Sequence, residues 1–207
     1  MALGLAPVTA PAQSSAAVKG AAASQTTPPQ RAKALIDWVA AAARHRRSQT
    51  AQTVQALLAR LPKPELNKPR LPILLPRDGG PISTLKARMV AFGDAYSLNL
   101  PQANGTQVTI SGTSSFETVK AGVLSRAKLF RTIENMSEPV SIQQTEDGWT
   151  ATFTRFNVSY TVDVNCDSPD SADCKTDAFL RKAVAAVQEV YLGEAALAEA
   201  RAAGARP

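Results

Sequence analysis

The sequence contains few of the residue types from which metal and catalytic centres are built. Its 207 residues include one histidine and two cysteines, and only 5% of them are aromatic. A zinc centre needs three or four histidine, cysteine or carboxylate ligands, and a serine nucleophile needs a neighbouring base. The phosphate-binding patterns G-x-x-x-x-G-K and G-x-G-x-x-G do not occur. We therefore predict no metal, no cofactor and no catalytic residues, and a carboxylate-dependent hydrolase is kept only as a second alternative function.

Long runs of large apolar residues are also missing. No stretch reaches the length of about 18 residues that a membrane-spanning helix requires, so we expect no transmembrane segment in this chain. Residues 1–30 consist mainly of Ala, Ser, Thr, Gln and Pro. Such a segment buries too little apolar surface to offset the entropy of ordering it, and we predict a disordered tail.

The start of this tail has a second interpretation. Residues 2–13 resemble the end of a secretory signal peptide, in which a short apolar stretch is followed by small residues. No basic segment precedes them. We expect an exported protein, periplasmic or secreted, whose N-terminus is a signal-peptide remnant. The alternative is a cytoplasmic protein with an alanine-rich tail.

Acidic residues are scarce in the first third of the chain. Residues 1–72 contain ten Lys or Arg and two acidic residues, whereas the rest contains thirteen basic and fifteen acidic residues. The densest positive cluster includes Arg44, Arg46 and Arg47. Such a cluster is typical of contacts with an anionic surface, and it also suits a helix C-terminus, where cations complement the dipole. These arginines are our candidate anion-binding residues, with a solvated helix face as the alternative.

Two apolar patterns with helical spacing follow the tail. They comprise Leu35, Trp38, Val39 and Ala42, and then Val54, Leu57, Leu58 and Leu61. Positions i, i+3, i+4 and i+7 share one helix face, so residues 31–62 are predicted to form two basic amphipathic helices. Residues 63–81 contain five prolines and are predicted to be an extended connector, with an edge or first strand at 71–75. We place a domain boundary near residue 68.

In the second half, apolar residues alternate with polar ones, which is typical of strands buried on one side. The dipeptide Asn104-Gly105 separates two such runs and predicts a hairpin. Residues 146–148 predict a second hairpin. The alternation later shifts by one position, so we expect a turn or bulge at 155–157. Residues 82–193 are accordingly predicted to form an α+β domain.

Two segments 64 residues apart share the pattern F-x-x-x-Y-[S/T]-h-x-h, where h is aliphatic. One runs from Phe92 to Leu100 and the other from Phe156 to Val164. Either two similar β-units pack together, or a strand pattern has recurred by chance. Their tyrosines, Tyr96 and Tyr160, are our candidate residues for a ligand groove, and the alternative is aromatic packing within the sheet.

Helical spacing returns near the C-terminus. The apolar stripe comprises Phe179, Leu180, Ala183, Val184, Val187, Val190 and Tyr191. We predict one helix over 177–192 that covers a face of the sheet, because one apolar stripe against one apolar face buries both. The alanine-rich tail 194–207 is expected to fray. A weaker helical pattern covers 117–134, whose last residues equally suit the start of a strand.

The two cysteines stand eight positions apart in a stretch rich in Asp, Ser and Pro. Cys166 ends a strand-like run, and Cys174 precedes the helical stripe. This arrangement favours a local disulfide over free thiols or half of a metal site. Because disulfides persist in oxidising compartments, the pair supports the expectation of export.

We predict an α+β fold in which an N-terminal helical hairpin precedes an antiparallel sheet, possibly built of two similar β-units, that a C-terminal helix covers. The leading function is a non-catalytic binding or interaction module of the cell envelope, with an unidentified protein partner or ligand. The first alternative is a binder of an anionic polymer or nucleic acid through the basic N-terminal helices. Against nucleic acid, the basic cluster has little aromatic interleaving.

Overall fold

The computed structural model describes residues 31–77, 79–117, 130–133, 136–168 and 170–207. The predicted disordered tail at 1–30 lies outside the described residues, as does most of the helix predicted at 117–134. Within the described residues, no helix has the length and hydropathy needed to cross a bilayer.

The fold is α+β with antiparallel sheets, as predicted. In chain order the elements are β1 (Arg31–Lys33), α1 (Trp38–Ser48), α2 (Gln52–Leu58), α3 (Lys63–Asn67), β2 (Ile73–Pro76), β3 (Arg88–Ala91), β4 (Ala95–Pro101), β5 (Thr106–Thr113), β6 (Ser115–Glu117), β7 (Phe130–Arg131), β8 (Val140–Gln144), β9 (Gly148–Arg155), β10 (Val158–Cys166), α4 (Ala178–Ala186), β11 (Val187–Tyr191) and α5 (Glu194–Ala202).

The main sheet has seven strands in the order β3-β4-β5-β10-β9-β8-β7. It contains two three-stranded meanders, β3 to β5 and β8 to β10, which join where β5 pairs with β10. Burial alternates along the central strands, so apolar side chains line one face and mostly polar side chains line the other. The apolar face lies against the rest of the protein.

The predicted turns are present. Gly105 has a φ of +81° in the loop between β4 and β5, a conformation that glycine adopts without steric cost. The second predicted hairpin joins β8 to β9. Between β9 and β10, Phe156 and Asn157 both have positive φ, which is the geometry of a two-residue turn that matches strand twist.

A second layer packs on the apolar face of the main sheet. It contains a two-stranded sheet of β2 and β11, and α4, which contacts both β9 and β10. The region predicted as an extended connector is therefore part of the core. It holds the short helix α3 and the strand β2, whose residues Ile73 to Leu75 are fully buried.

The predicted helix at 177–192 is wrong in its second half. Helix α4 ends at Ala186, and residues Val187–Tyr191 form β11, which pairs antiparallel with β2. The stretch Val-Gln-Glu-Val-Tyr has β-branched residues that suit a strand, whereas the three-residue spacing of the buried Val187 and Val190 suits a helix. The pairing with β2 decides between them.

The expectation that residues 194–207 fray is also wrong. Helix α5 occupies this region, and Ala196 and Ala200 are fully buried. The small alanine side chains allow α5 to lie close to α1 and α3, both of which it contacts. Gly193, just before α5, has the Leu66 carbonyl oxygen 2.0 Å from the position that a Cβ would take, so only glycine fits there.

The boundary predicted near residue 68 does not separate two cores. Helix α1 packs on β11 and α5, and apolar residues of α2 and α3 belong to the same buried cluster as the sheet. The Ser48 hydroxyl, at the end of α1, accepts a 2.9 Å hydrogen bond from the Val190 backbone N–H in β11. The N-terminal helices are thus an integral part of one domain.

Candidate functional site

The three candidate anion-binding arginines lie on α1, but the helix does not bring all three to one place. Asp37 caps the helix, since its carboxylate accepts a 3.0 Å hydrogen bond from the Ala40 N–H. Residues three apart share a helix face, and Arg44 and Arg47 both line one surface cleft. Arg46 is exposed and is not among the residues that line the cleft.

This basic cleft has a volume of about 410 Å³ and lies between α1 and the end of the β9–β10 hairpin. Beyond the two arginines of α1, its polar lining residues are Ser137, Glu138, Arg155 and Gln188. Volumes of this order are typical of sites for small molecules or for one unit of a polymer.

Arg155 forms the wall opposite α1 and is held in place by two partners. Its guanidinium forms a two-pronged ion pair with Glu138, in which the Nη2–Oε2 distance is 3.2 Å. Its Nη1 also donates to the Val187 backbone oxygen at 3.1 Å. Burial raises the pKa of Glu138, but the hydrogen bond and charge of Arg155 outweigh burial, so that the pKa lies below its usual value. Glu138 is therefore ionised, and its charge is paired with that of Arg155.

Arg44 is anchored by β11, while Arg47 is more exposed. The Nε of Arg44 donates to the Gln188 backbone oxygen at 3.0 Å, which fixes the direction of the side chain. Three arginines and one glutamate line the cleft, so its described lining carries an excess of two positive charges. Fixed guanidinium groups around a concave surface favour anionic ligands, because their planar donors match carboxylate, phosphate or sulfate oxygens.

Phe156 adds an unusual backbone conformation to this cleft. It lines the cleft and has a φ of +55°, a region that bulky residues rarely adopt. Neighbouring contacts hold the turn: the Phe156 oxygen accepts a 3.0 Å hydrogen bond from the Asp37 N–H, and the Asn157 amide donates to the Leu35 oxygen at 2.9 Å. Non-glycine residues in this region occur preferentially at functional sites.

Tyr96 and Tyr160 lie in the core and not in a groove. They are 3% and 0% exposed, respectively. The Tyr96 hydroxyl oxygen accepts a 2.8 Å hydrogen bond from the Leu74 N–H, and the Tyr160 hydroxyl donates to the Pro72 oxygen at 2.8 Å. Burial raises the pKa of both hydroxyls, which keeps them neutral. The structure therefore corrects the ligand-groove prediction, because the hydroxyls bond to the backbone of the second layer.

The predicted disulfide between Cys166 and Cys174 is present. It joins the end of β10 to the turn that precedes α4, and Cys174 is buried. The Trp149 indole N–H donates to the Cys174 backbone oxygen at 2.7 Å, which ties the same loop to β9. The bridge is thus a structural link between the sheet and the helix that covers it.

The described residues contain no group of three or more His, Cys, Asp or Glu side chains arranged to hold a metal ion. Glu65 and Glu138 both have a pKa below the usual value of a carboxyl group. A general acid needs a raised pKa, so neither carboxyl group suits that role.

Sequence reasoning found Arg44 and Arg47 but missed the other side of the cleft. Glu138, Arg155 and Gln188 come from three segments that are distant in sequence. A positive charge next to a predicted turn is the one signal that pointed to Arg155, and it is too common to identify a site. Comparisons of the chain with family models, with curated proteins and with solved structures found no match.

Proposed function

We propose that this protein is a non-catalytic binding module that works outside the cytoplasm and holds an anionic polymer in the basic cleft. The observation that carries the proposal is the pairing of Arg44 and Arg47 on one helix face, opposite the Arg155–Glu138 pair. Because Arg155 is already neutralised by Glu138, the ligand's charge would be matched by the two arginines of α1.

The extracytoplasmic location is supported by the Cys166–Cys174 disulfide. Disulfides persist in the periplasm and outside the cell but are rare in the cytosol, where thiols are kept reduced. The signal-like composition of residues 2–13 is a second, independent argument from the sequence. An intact-mass measurement after thiol alkylation, on protein from fractionated cells, tests the location. A reduced pair in the native protein would contradict it.

Nucleic acid remains an alternative occupant of the same cleft. Among the described residues, one aromatic side chain, Phe156, lines the cleft, whereas single-stranded nucleic acids are generally held by several aromatic side chains that stack on successive bases. The lining therefore favours a polymer recognised by its charges, such as a sulfated or phosphorylated polysaccharide, over one recognised by its bases.

The arrangement of α1 provides a sharp test. Arg47→Gln and Arg46→Gln each remove one positive charge from neighbouring positions of the same helix, but Arg47 lines the cleft and Arg46 does not. Binding of fluorescent heparin, as a sulfated polysaccharide probe, should weaken about five-fold in Arg47→Gln and much less in Arg46→Gln. Equal losses would show that net charge alone attracts the polymer and would refute the cleft.

The salt dependence and a duplex DNA probe separate the remaining possibilities. In the proposed site, the slope of log affinity against log salt should become shallower in Arg47→Gln, because one charge contact is lost. If DNA binds more tightly than heparin at the same salt concentration, and Arg47→Gln weakens it selectively, the nucleic-acid alternative is correct. Absence of saturable binding to both probes would exclude an anionic polymer.

A further inference from the structure

A second cavity lies on the other side of α1, away from the basic cleft. Its volume is about 440 Å³, and its walls come from all three N-terminal helices, from β11 and from α5. His45 on α1 and Gln49, which directly follows the last residue of α1, face this cavity, whereas Arg44 and Arg47 face the basic cleft. The two sites therefore share a helix but no lining residue.

One part of the cavity is apolar. Val54, Leu58, Leu66 and Leu197 contribute to its lining. Val54 and Leu66 are 1% and 3% exposed, so their side chains belong to the protein core and form a fixed wall. Such a wall favours a ligand that carries an aliphatic group of a few carbon atoms, because its burial removes apolar surface from water.

A buried, neutral imidazole lies beside this apolar part. His45 is 2% exposed, and its Nδ1 lies 3.3 Å from the Val190 backbone oxygen. Its Nε2 lies 2.9 Å from the Gln49 amide nitrogen. The Leu192 backbone N–H also donates to Nδ1 at 3.3 Å, so both ring nitrogens of His45 have polar neighbours. The Nε2 atom is thus the ring nitrogen that contacts an exposed residue of the cavity lining, Gln49.

The lining of the cavity also contains one positively charged and one negatively charged side chain. Lys63 and Glu194 belong to its lining, and both are exposed. Neither forms an ion pair with another residue of the described chain. Burial and, secondly, the negative charge of Glu194 raise the pKa of Tyr191, another lining residue.

We propose that this cavity binds a small zwitterion with an aliphatic side chain, namely an α-amino acid or a dipeptide. The ligand's carboxylate pairs with Lys63, its ammonium group pairs with Glu194, and its aliphatic part lies against Leu58 and Leu66. The lining charges sum to zero when His45 is neutral, which matches a ligand without net charge and disfavours the polyanions proposed for the basic cleft. This inference does not depend on the proposed function, because the two sites have separate residues and different ligands.

The single histidine provides a direct readout in the intact protein. With one histidine in 207 residues, the side-chain ¹⁵N spectrum contains the signals of one imidazole, and His45 lines the cavity. Titration with L-leucine should shift these signals saturably, and calorimetry should give the same affinity. Leucinamide lacks the carboxylate and 4-methylpentanoate lacks the ammonium group, so both should bind about five-fold more weakly than leucine or not at all.

Two variants assign the charges, and a third is the control. Lys63→Gln should abolish the preference for leucine over leucinamide, and Glu194→Gln should abolish the preference over 4-methylpentanoate. Lys182→Gln removes an exposed positive charge on α4, outside the cavity, and should leave leucine binding unchanged.

Leucyl-leucine and tetraleucine distinguish the two ligand sizes. Tighter binding of the dipeptide than of leucine assigns the site to peptides, and the reverse assigns it to amino acids. The tetrapeptide separates its two charges and should bind weakly. Failure of leucine and the dipeptide to shift the His45 signals, or shifts that are unaffected by Lys63→Gln and Glu194→Gln, would overturn the proposal while leaving the heparin test untouched.

Discussion

Tyr96 and Tyr160 lie on either side of Gly112, in one row across three neighbouring strands. Both tyrosines pair with Gly112 in the sheet register, one from β4 and the other from β10. Because glycine has no side chain, both rings approach it, and their hydroxyls reach the backbone of Leu74 and Pro72 in the second layer. The row therefore fastens the main sheet to the strand that packs on it.

Gly112→Ala should destabilise the protein. A Cβ at this position would lie 2.6 Å from Cε1 of Tyr96 and 2.9 Å from Cε1 of Tyr160, and both rings are held by their hydroxyl hydrogen bonds. We expect a loss of about 1–3 kcal/mol in the free energy of unfolding, measured by urea denaturation. Gly93→Ala is the matched control, since a Cβ there meets no atom within 4 Å. Equal stability of the two variants would contradict this role of Gly112.

Tyr96→Phe and Tyr160→Phe should each cost about 1–3 kcal/mol, because each leaves a buried backbone group without its partner. We expect Tyr96→Phe to be the more costly. It leaves the Leu74 N–H without an acceptor, whereas Tyr160→Phe leaves the Pro72 oxygen without a donor. Buried N–H groups without a partner are rarer than under-satisfied carbonyls. Denaturation of both variants at the same pH checks the order, and a neutral effect of Tyr96→Phe would refute it.

Stability should fall as the pH is lowered through about 6.5. Burial lowers the pKa of His45, and the charge of Arg46 lowers it further, although the Val190 hydrogen bond acts in the opposite direction. The unfolded chain binds a proton near the usual pKa of 6.5, whereas the folded protein binds it only at lower pH. Protonation of His45 therefore favours the unfolded state below pH 6.5. Well above this pH, His45 is neutral in both states and adds no pH dependence to the free energy of unfolding.

This pH dependence should disappear in His45→Gln. Since His45 is the only histidine, no other side chain with an ordinary pKa titrates between about pH 5.5 and 7. Denaturation midpoints measured across this window should slope in the natural protein and be flat in the variant. A slope that survives the substitution would assign the effect to another group.

Removal of the disulfide should lower the melting temperature by several degrees. The Cys166–Cys174 bridge closes a short loop, and the chain-entropy model gives about 2–3 kcal/mol for a loop of this length. Scanning calorimetry of the Cys166→Ser/Cys174→Ser double variant, beside the oxidised and the reduced natural protein, checks this value. The variant and the reduced protein should agree, and an unchanged melting temperature in both would contradict a stabilising bridge.

A protein that begins at Arg70 should not fold cooperatively. The sequence predicts a domain boundary near residue 68, but α1 packs on β11 and the Ser48 hydroxyl accepts a hydrogen bond from the Val190 N–H. The truncation would expose the apolar side of β11 and leave Val190 without this partner. Dispersed amide signals and a sharp thermal transition in the truncated protein would contradict the one-domain structure.

The sequence by itself determined the features that depend on neighbouring residues. The alternation of side chains placed the central strands, and Asn104-Gly105 placed a hairpin, because positive φ at glycine suits a turn between strands. The spacing of Cys166 and Cys174 predicted the disulfide, since a short polar loop brings its own ends together. Each of these features depends on residues that are close together in the sequence.

Tertiary contacts decided the features that depend on distant residues. The segment Val187–Tyr191 has the apolar spacing of a helix and the β-branched residues of a strand, and its pairing with β2, more than a hundred residues earlier, makes it a strand. The alanines of α5 have too little apolar surface to fix a helix alone, and contact with α1 and α3 supplies the missing burial. Likewise, Arg155 and Arg44 line the same cleft only because the β9–β10 hairpin lies beside α1. No local sequence pattern predicts this long-range arrangement.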